Sequence, residues 1–261
     1  MAQLSDDCFA TGKPLMTTAE AMAQLDGQIV PVVDTEEIAL DAAVGRILAA
    51  DVTSPIDVPQ HDNSAVDGYA VFFDDLDPDA PSQLPVTGRA AAGHPLSRPA
   101  QRGEAIRIFT GAPMPEGLDT VMMQEDCNEK DGVVTIAPGI KRGANRRDAG
   151  EDVTAGSIVL KCGSKLRPQD VGLAASIGRT TVTAYRPLRV AVFSTGDEVC
   201  EPGGPLRPGA IFDSNRFTIK SALAQLGCSV TDLGILPDDE TVIAKTIADA
   251  ATTHDALVSS G

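Results

Sequence analysis

From Leu188 onward the apolar positions fall into a regular rhythm. Arg189-Val190-Ala191-Val192-Phe193 is a short apolar run of strand type. Ile219, Ala222, Leu223 and Leu226 then recur at i, i+3, i+4 and i+7, one face of a helix that Gly227 would stop. Cys228 to Leu233 predicts the next strand. Ile243, Thr246, Ile247 and Ala250 repeat the helical spacing, with Thr246 the weakly polar member, and Ala256-Leu257-Val258 predicts a third strand. Strand alternating with helix predicts an open α/β sheet, parallel wherever right-handed crossovers return to it.

Upstream the pattern is broken into shorter pieces. Thr17 and Glu20 have capping-box spacing before Ala21, Met22 and Leu25, with Gly27 near the end, which predicts a first helix. Ile38 and Leu40 read as a short strand. Asp41 is placed to cap a second short helix containing Val44, Ile47 and Leu48. Short apolar runs at Tyr69 to Phe73, Ala105 to Phe109, Thr120 to Met123 and Val133 to Ile136 lack a helical period and are interrupted by Gly, Pro and Asp. They predict a compact all-β region. Asp74 to Pro81 reads as a solvated acidic loop. Ile158-Val159-Leu160, a helix opened by Pro168 and running to Ile177 with Gly178 at its end, and a strand from Thr180 to Tyr185 return to mixed structure.

The fold class expected is therefore α/β multidomain. Residues 1–52 and 148–187 are expected to form one discontinuous, elongated α+β domain, 53–147 an inserted β-rich domain, and 188–261 a three-layer α/β domain. An α/β domain that stops after three strands is incomplete, so the chain is expected to be a truncated one.

Composition narrows the function classes. The 261 residues hold 43% hydrophobic and 22% charged side chains, the balance of a globular protein. No apolar run approaches the ~18 residues that span a bilayer, and the start, with Asp6 and Asp7, lacks the form of a secretory signal. A cytoplasmic location is expected. Cys8, Cys127, Cys162, Cys200 and Cys228 are scattered without a C-x-x-C pair, so neither zinc nor a redox motif is indicated. The formal charge of −16 argues against nucleic acid and against an anionic membrane surface. An anionic ligand would then need a local basic cluster, backbone N–H groups or a divalent cation. Lys141 to Arg147 is the one dense basic cluster, and reads either as a solvated loop or as an anion-binding edge.

One decapeptide, His61-Asp62-Asn63-Ser64-Ala65-Val66-Asp67-Gly68-Tyr69-Ala70, stands where the helical opening gives way to the β region. Two turn signals in it place Asp62, Asn63, Ser64 and Asp67 on an exposed corner. With Ile108 to Pro115, Arg147 to Asp152, Phe193 to Glu198 and Ile211 to Arg216, it resembles the motifs of the molybdopterin molybdenumtransferase family, in the family's order. The resemblance runs from about Thr17 to the last residue. It implies metal insertion into adenylylated molybdopterin from molybdate, with release of molybdenum cofactor and AMP. It also implies Mg2+, a homodimer whose cleft lies between subunits, and a C-terminal β domain that is absent here. The adenylyltransferase that makes the substrate and apo-molybdoenzymes that take the product are the implied partners. Two rivals remain: a gephyrin-like scaffold without turnover, and a relative of the molybdopterin adenylyltransferases, against which residues 1–187 argue.

Open α/β sheets bind ligands beyond the carboxyl ends of their strands. Three segments stand there: Ser194-Thr195-Gly196-Asp197-Glu198, Leu236-Pro237-Asp238-Asp239 and Ser259-Ser260-Gly261. Asp213 or Ser214 can cap the helix that follows Phe212, and the same N-terminus, with Asn215, can present N–H groups to an anion. Arg216 could add a guanidinium fork. The resemblance assigns Asp62, Asp152, Glu198 and Asp238 to an acidic active-site set, with Thr110 as a hydroxyl donor. Taken alone, each acid also reads as a cap or turn. Asp62, Glu198 and Asp238 are the candidate Mg2+ ligands, because carboxylates beside a phosphate repel it unless a cation intervenes.

Overall fold

A computed structural model describes residues 16–261, so the readings of Asp6, Asp7 and Cys8 lie outside the described residues. Helix α1 (Thr18–Gln28) opens with the predicted reciprocal cap: Glu20 N–H donates to Thr17 Oγ1 at 3.2 Å, and Thr17 N–H to Glu20 Oε2 at 2.8 Å. None of its residues is buried. The chain divides into two compact units, one from Thr35 to Tyr185 and one made of the residues on either side of it.

The strands of the Thr35–Tyr185 unit are, in order, β1 (Thr35–Ala39), β2 (Val52–Thr53), β3 (Asn63–Ser64), β4 (Gly68–Val71), β5 (Ser82–Ala90), β6 (Ala105–Ile108), β7 (Thr120–Met123), β8 (Cys127–Lys130), β9 (Val133–Ile136), β10 (Arg146–Arg147), β11 (Ile158–Leu160) and β12 (Thr181–Tyr185). Helix α2 (Pro168–Ser176) precedes β12. Antiparallel pairs β1–β12 and β2–β11 enclose a core of Ile38, Leu48, Val52, Leu160, Leu166, Ile177 and Val182. Each such side chain, once buried, contributes about 1.5–3 kcal/mol. The helix expected after Asp41 is absent. Leu40–Ala42 makes one 3₁₀ turn, Gly45 turns left-handed at φ +82°, and Ile47 and Leu48 run extended to bridge Lys165 and Ala184. Burying Leu48 in the core outweighs the weak helical spacing.

The β region is a six-stranded sheet of order β7-β4-β6-β5-β9-β8, with only the β5–β6 pair parallel. Both faces are covered. Tyr69, Val71, Leu84, Met122 and Val134 pack on one face, and Ala70, Ala90, Ile106, Ile108 and Val121 in the second core. That is why β4 is buried at every position and its apolar run does not alternate. Two strands of this sheet were not foreseen, nor were the two-residue strands β2, β3 and β10 outside it. Pro85 and Gly88 interrupt β5, and β8 is a polar edge. Asn63 and Ser64, expected in a turn on an exposed corner, instead form β3 and pair with Arg147 and Arg146 of the basic cluster, and Ser64 is buried.

The flanking unit is α/β: β13 (Arg189–Thr195), β14 (Val199–Cys200), β15 (Ile211–Phe212), α3 (Asn215–Leu226), β16 (Ser229–Leu236), α4 (Glu240–Ala251) and β17 (Ala256–Ser260). The sheet order is β16-β13-β17, all parallel. Buried Val190 to Ser194 make β13 the central strand. Gly227 ends α3 at φ +94°, a conformation that favours glycine, and Asp239 caps α4 by accepting from Val242 N–H at 3.0 Å.

Candidate functional site

In the α/β unit the chain leaves β13 for β16 on one side and then crosses to β17 on the other. The strand order therefore reverses at β13, and the crevice between the carboxyl ends of β13 and β17 is the place where such sheets bind ligands. A cleft of about 110 Å3 lies there. Its walls include Ser194, Thr195 and Glu198 after β13, Asp213, Ser214 and Asn215 at the start of α3, and Ser260 and Gly261 at the end of β17. Asn215 Nδ2 donates to Ser260 Oγ at 3.0 Å and ties the helix to the third strand. Gly196 turns at φ +134°, where an added Cβ would stand 2.7 Å from Glu198 Oε2. The Ser194 hydroxyl is buried without a hydrogen bond of normal geometry, although it lies close enough to favour the Asp213 carboxylate.

Four residues expected at this cleft do not line it: Gly196, which only turns the loop beside it, Ser259, Asp238 and Arg216. Ser259 is exposed and does not line the cleft. Asp238 also stands off it; its carboxylate accepts weakly from Asp197 N–H at 3.4 Å, and Asp197 returns the bond to Asp238 N–H. Arg216 is the correction. It is 2% exposed, and its guanidinium donates to Asp213 at 2.7 Å, to Asp232 at 2.5 Å and to Glu201. Each of its three nitrogens is held by a carboxylate and the side chain is buried, so it braces the cleft floor and does not present a fork to a ligand. Burial alone would depress its pKa, but Asp213 and Asp232 outweigh that and raise it. Burial likewise opposes the charge on Asp213, and the Arg216 side chain and N–H hold it below the usual carboxylate range. Asp213 also takes the Arg216 N–H at 3.1 Å, whereas the Ser214 side chain makes no capping bond.

The second cluster lies within the Thr35–Tyr185 unit, at the β3–β10 ribbon. Asp62 Oδ1 accepts from Ala149 N–H at 2.9 Å, and Arg146 stands 3.7 Å from Asp62 Oδ2. Arg147 pairs with Asp152 at 2.6 Å. Ser64 bonds Ala112 and Gly111 through its backbone, at 3.0 and 2.8 Å, which brings in the Thr110 segment. Contacts thus tie the segments carrying Asp62, Asp152 and Thr110 to the same β3–β10 ribbon. Thr110 is fixed by Asp67, which accepts its N–H and its hydroxyl, each at 2.8 Å. Those two bonds, the backbone one first, hold the Asp67 carboxyl below its ordinary range. Sequence reading marked Asp67 only as a turn residue; its position before Gly68 and β4 was the available signal. The Asn63 side-chain oxygen is buried at this ribbon without a partner. The arginines of the basic cluster are neutralised within the fold: Arg142 pairs with Asp74 and Asp119, Arg146 with Asp148, Arg147 with Glu151 and Asp152, which leaves Lys141 as an exposed charge. These arginines are not a free anion-binding edge.

Among the described residues no three His, Cys, Asp or Glu side chains gather closely enough to form a metal cage. Glu198 nevertheless faces the cleft with its carboxylate unpaired, which suits a hard cation held by one or two carboxylates and completed by substrate oxygens.

Comparison with known proteins follows the same division. Residues 16–178 match the family described as "MoeA N-terminal region (domain I and II)", and residues 191–261 match a "probable molybdopterin binding domain". The molybdopterin molybdenumtransferase of Haemophilus influenzae is 43% identical over 95% of this chain and 61% of its own length. That of a Nostoc species is 39% identical over 87% of this chain and 53% of its own. The chain thus spans between half and two thirds of these relatives. The crystal structure of the Pyrococcus horikoshii molybdopterin biosynthesis moeA protein superposes with a TM-score of 0.85 at 31% identity, over 93% of this chain and 65% of that one.

Proposed function

The chain belongs to the MoeA family, and from that premise we propose that the protein is a molybdopterin molybdenumtransferase of molybdenum cofactor biosynthesis. The substrate class is adenylylated molybdopterin with molybdate, and the products are molybdenum cofactor and AMP. The observation that carries the reading is the polar cleft at the β13–β17 reversal, where α3 begins. Backbone N–H groups at a helix start and small residues at a strand end suit a phosphate-bearing ligand. Glu198, on the cleft wall, would hold Mg2+ together with substrate oxygens, and the ion would supply charge neutralisation and polarise the phosphoanhydride; Asp238 would have to move toward the cleft to join it. Asp62, Asp152 and Thr110, positioned by Ala149, Arg147 and Asp67, are a second group of candidate active-site side chains within the Thr35–Tyr185 unit.

The proposal extends to a homodimer, to Mg2+ dependence and to a cytoplasmic enzyme. It would receive its substrate from an adenylyltransferase and pass its product to apo-molybdoenzymes. No helix among the described residues is long and apolar enough to cross a membrane. The test is reconstitution of an apo-molybdoenzyme by the full-length protein with adenylylated molybdopterin, molybdate and Mg2+. Glu198→Gln and Asp62→Asn are each expected to lower the rate at least a hundredfold, and chelation of Mg2+ to stop it. Full activity in both variants would refute the assignment, and light scattering of a monomer would refute the dimer.

A further inference from the structure

An acidic protein that handles anions needs cations whose charge is not already spent. In the Thr35–Tyr185 unit, Arg98, Arg102, Arg142, Arg146 and Arg147 are each paired with a carboxylate. Arg89 and Arg107 are not. They are direct cross-strand neighbours on β5 and β6, a like-charge placement that costs stability unless something offsets it. The offset is aromatic. Arg107 lies over Tyr69 at 4.9 Å and over Phe109 at 4.8 Å, and Arg89 lies over Phe109 at 4.5 Å. The side chains form one ladder of ring, guanidinium, ring, guanidinium.

The two arginines differ in what remains free. Arg107 donates to Gly68 O at 3.2 Å and to Gln124. The Arg89 guanidinium is exposed and has no hydrogen-bond or ion-pair partner among the described residues. Its flat face is held by Phe109, so its in-plane N–H donors are orientated before any ligand arrives. A planar fork of that kind matches two oxygens of a tetrahedral oxyanion.

We infer that Arg89, held on Phe109, is a binding fork for a tetrahedral oxyanion on the exposed side of the Arg107–Phe109–Arg89 ladder. The inference rests on the functional reading above only for the source of the anion, molybdate or a substrate phosphate. Arg107 stiffens the ladder and supplies the second positive charge.

The test is titration calorimetry of the full-length protein at low ionic strength with sodium molybdate and, separately, inorganic phosphate. Arg89→Ala is expected to weaken binding at least tenfold. Arg89→Lys, which keeps the charge and loses the fork, is expected to fall between it and wild type. Phe109→Leu, which keeps bulk and loses the π face, is expected to weaken binding with Arg89 intact. Lys141→Ala removes an exposed charge of the loop that bonds β7, across the sheet from β5, and is expected to change nothing. A response to one anion only supports the fork and identifies which source it serves. A wild type that binds neither anion, an Arg89→Ala variant equal to wild type, or a Lys141→Ala loss as large as that of Arg89→Ala overturns it. Reconstitution is measured separately. An anion site lost with Arg89 in a protein that inserts no molybdenum leaves the fork standing and removes the transferase reading.

Discussion

Replacing Arg216 by Ala separates a structural brace from a ligand contact. The Arg216 and Asp213 side chains are 3% and 2% exposed, so the change strands a buried carboxylate. Breaking a buried pair by removing one partner costs about 3–5 kcal/mol. Glu201 is 59% exposed and adds little, and Asp232 keeps Lys220. The low end, about 3 kcal/mol, is therefore expected. With a urea slope of about 1–3 kcal/mol/M it moves the midpoint down by about 1 M or more. The two units can be followed apart. The chain has no Trp, and both tyrosines, Tyr69 and Tyr185, lie in the Thr35–Tyr185 unit. Helices α1, α3 and α4, of 11, 12 and 12 residues, lie in the other unit against the 9 residues of α2. The helical circular-dichroism transition should shift while the tyrosine transition stays. The pH dependence has a sign. In the variant, burial without its cation raises the Asp213 pKa above its unfolded value, so the folded state binds the extra proton. Stability then falls as pH rises, and the deficit is largest at neutral pH and narrows on acidification. A variant with an unmoved helical transition and weakened ligand binding would restore Arg216 as a ligand fork and refute the brace.

Three further outcomes are expected. Glu104, 8% exposed and forked by Arg98, has its pKa lowered to about 2, so it stabilises the fold above its unfolded value near 4.5 and loses that as pH falls through about 2. Glu104→Gln should therefore lower the tyrosine transition at neutral pH, by an amount that shrinks on acidification over that window; a pH-independent difference would contradict it. Asp67→Ala and Thr110→Val should each lower reconstitution activity, and the double variant should be no worse than the poorer single one, because one acts through the other; additive losses would separate their roles. Gly196→Ala places a Cβ 2.7 Å from Glu198 Oε2 and 2.9 Å from Val199 Cγ2 at a positive φ, so about 1–3 kcal/mol of helical-transition stability and the cleft geometry should both be lost; unchanged melting would contradict it.

The legible parts of the fold were those whose cause is local. The Thr17–Glu20 cap, the existence of helices α3 and α4 and the Gly227 stop need only neighbours in sequence, and all stand in the structure, although Ala222 and Leu226 of the expected α3 face and Ile247 of the α4 face are exposed. The helix after Asp41 failed because its apolar residues answer to Lys165 and Ala184, more than 100 residues away. Strand β5 was hidden by Pro85 and Gly88, which its parallel and antiparallel neighbours tolerate at those positions. At the cleft, the carboxyl-end rule located Ser194, Glu198 and Ser260 from topology alone. Arg216 was misread because Asp232 and Glu201, which consume it, have no sequence relation to it. The basic cluster was undecidable for the same reason, since Asp74 and Asp119 reach Arg142 only through the folded sheet.

The small β3–β10 ribbon has a consequence for how this region can vary. Ala65 N–H bonds Asn145 O at 2.9 Å just inside it, so the chain from Ala65 to Asn145 is an excursion closed at its own base, like a purse drawn by a string. Asp62 and Asp152 stand outside the knot, and the Thr110 segment is stitched to it through Ser64. The far margin, β9 with the polar edge β8, is not part of the stitching. Loops at that margin are therefore free to lengthen, shorten or accept a tag while the ribbon keeps its shape.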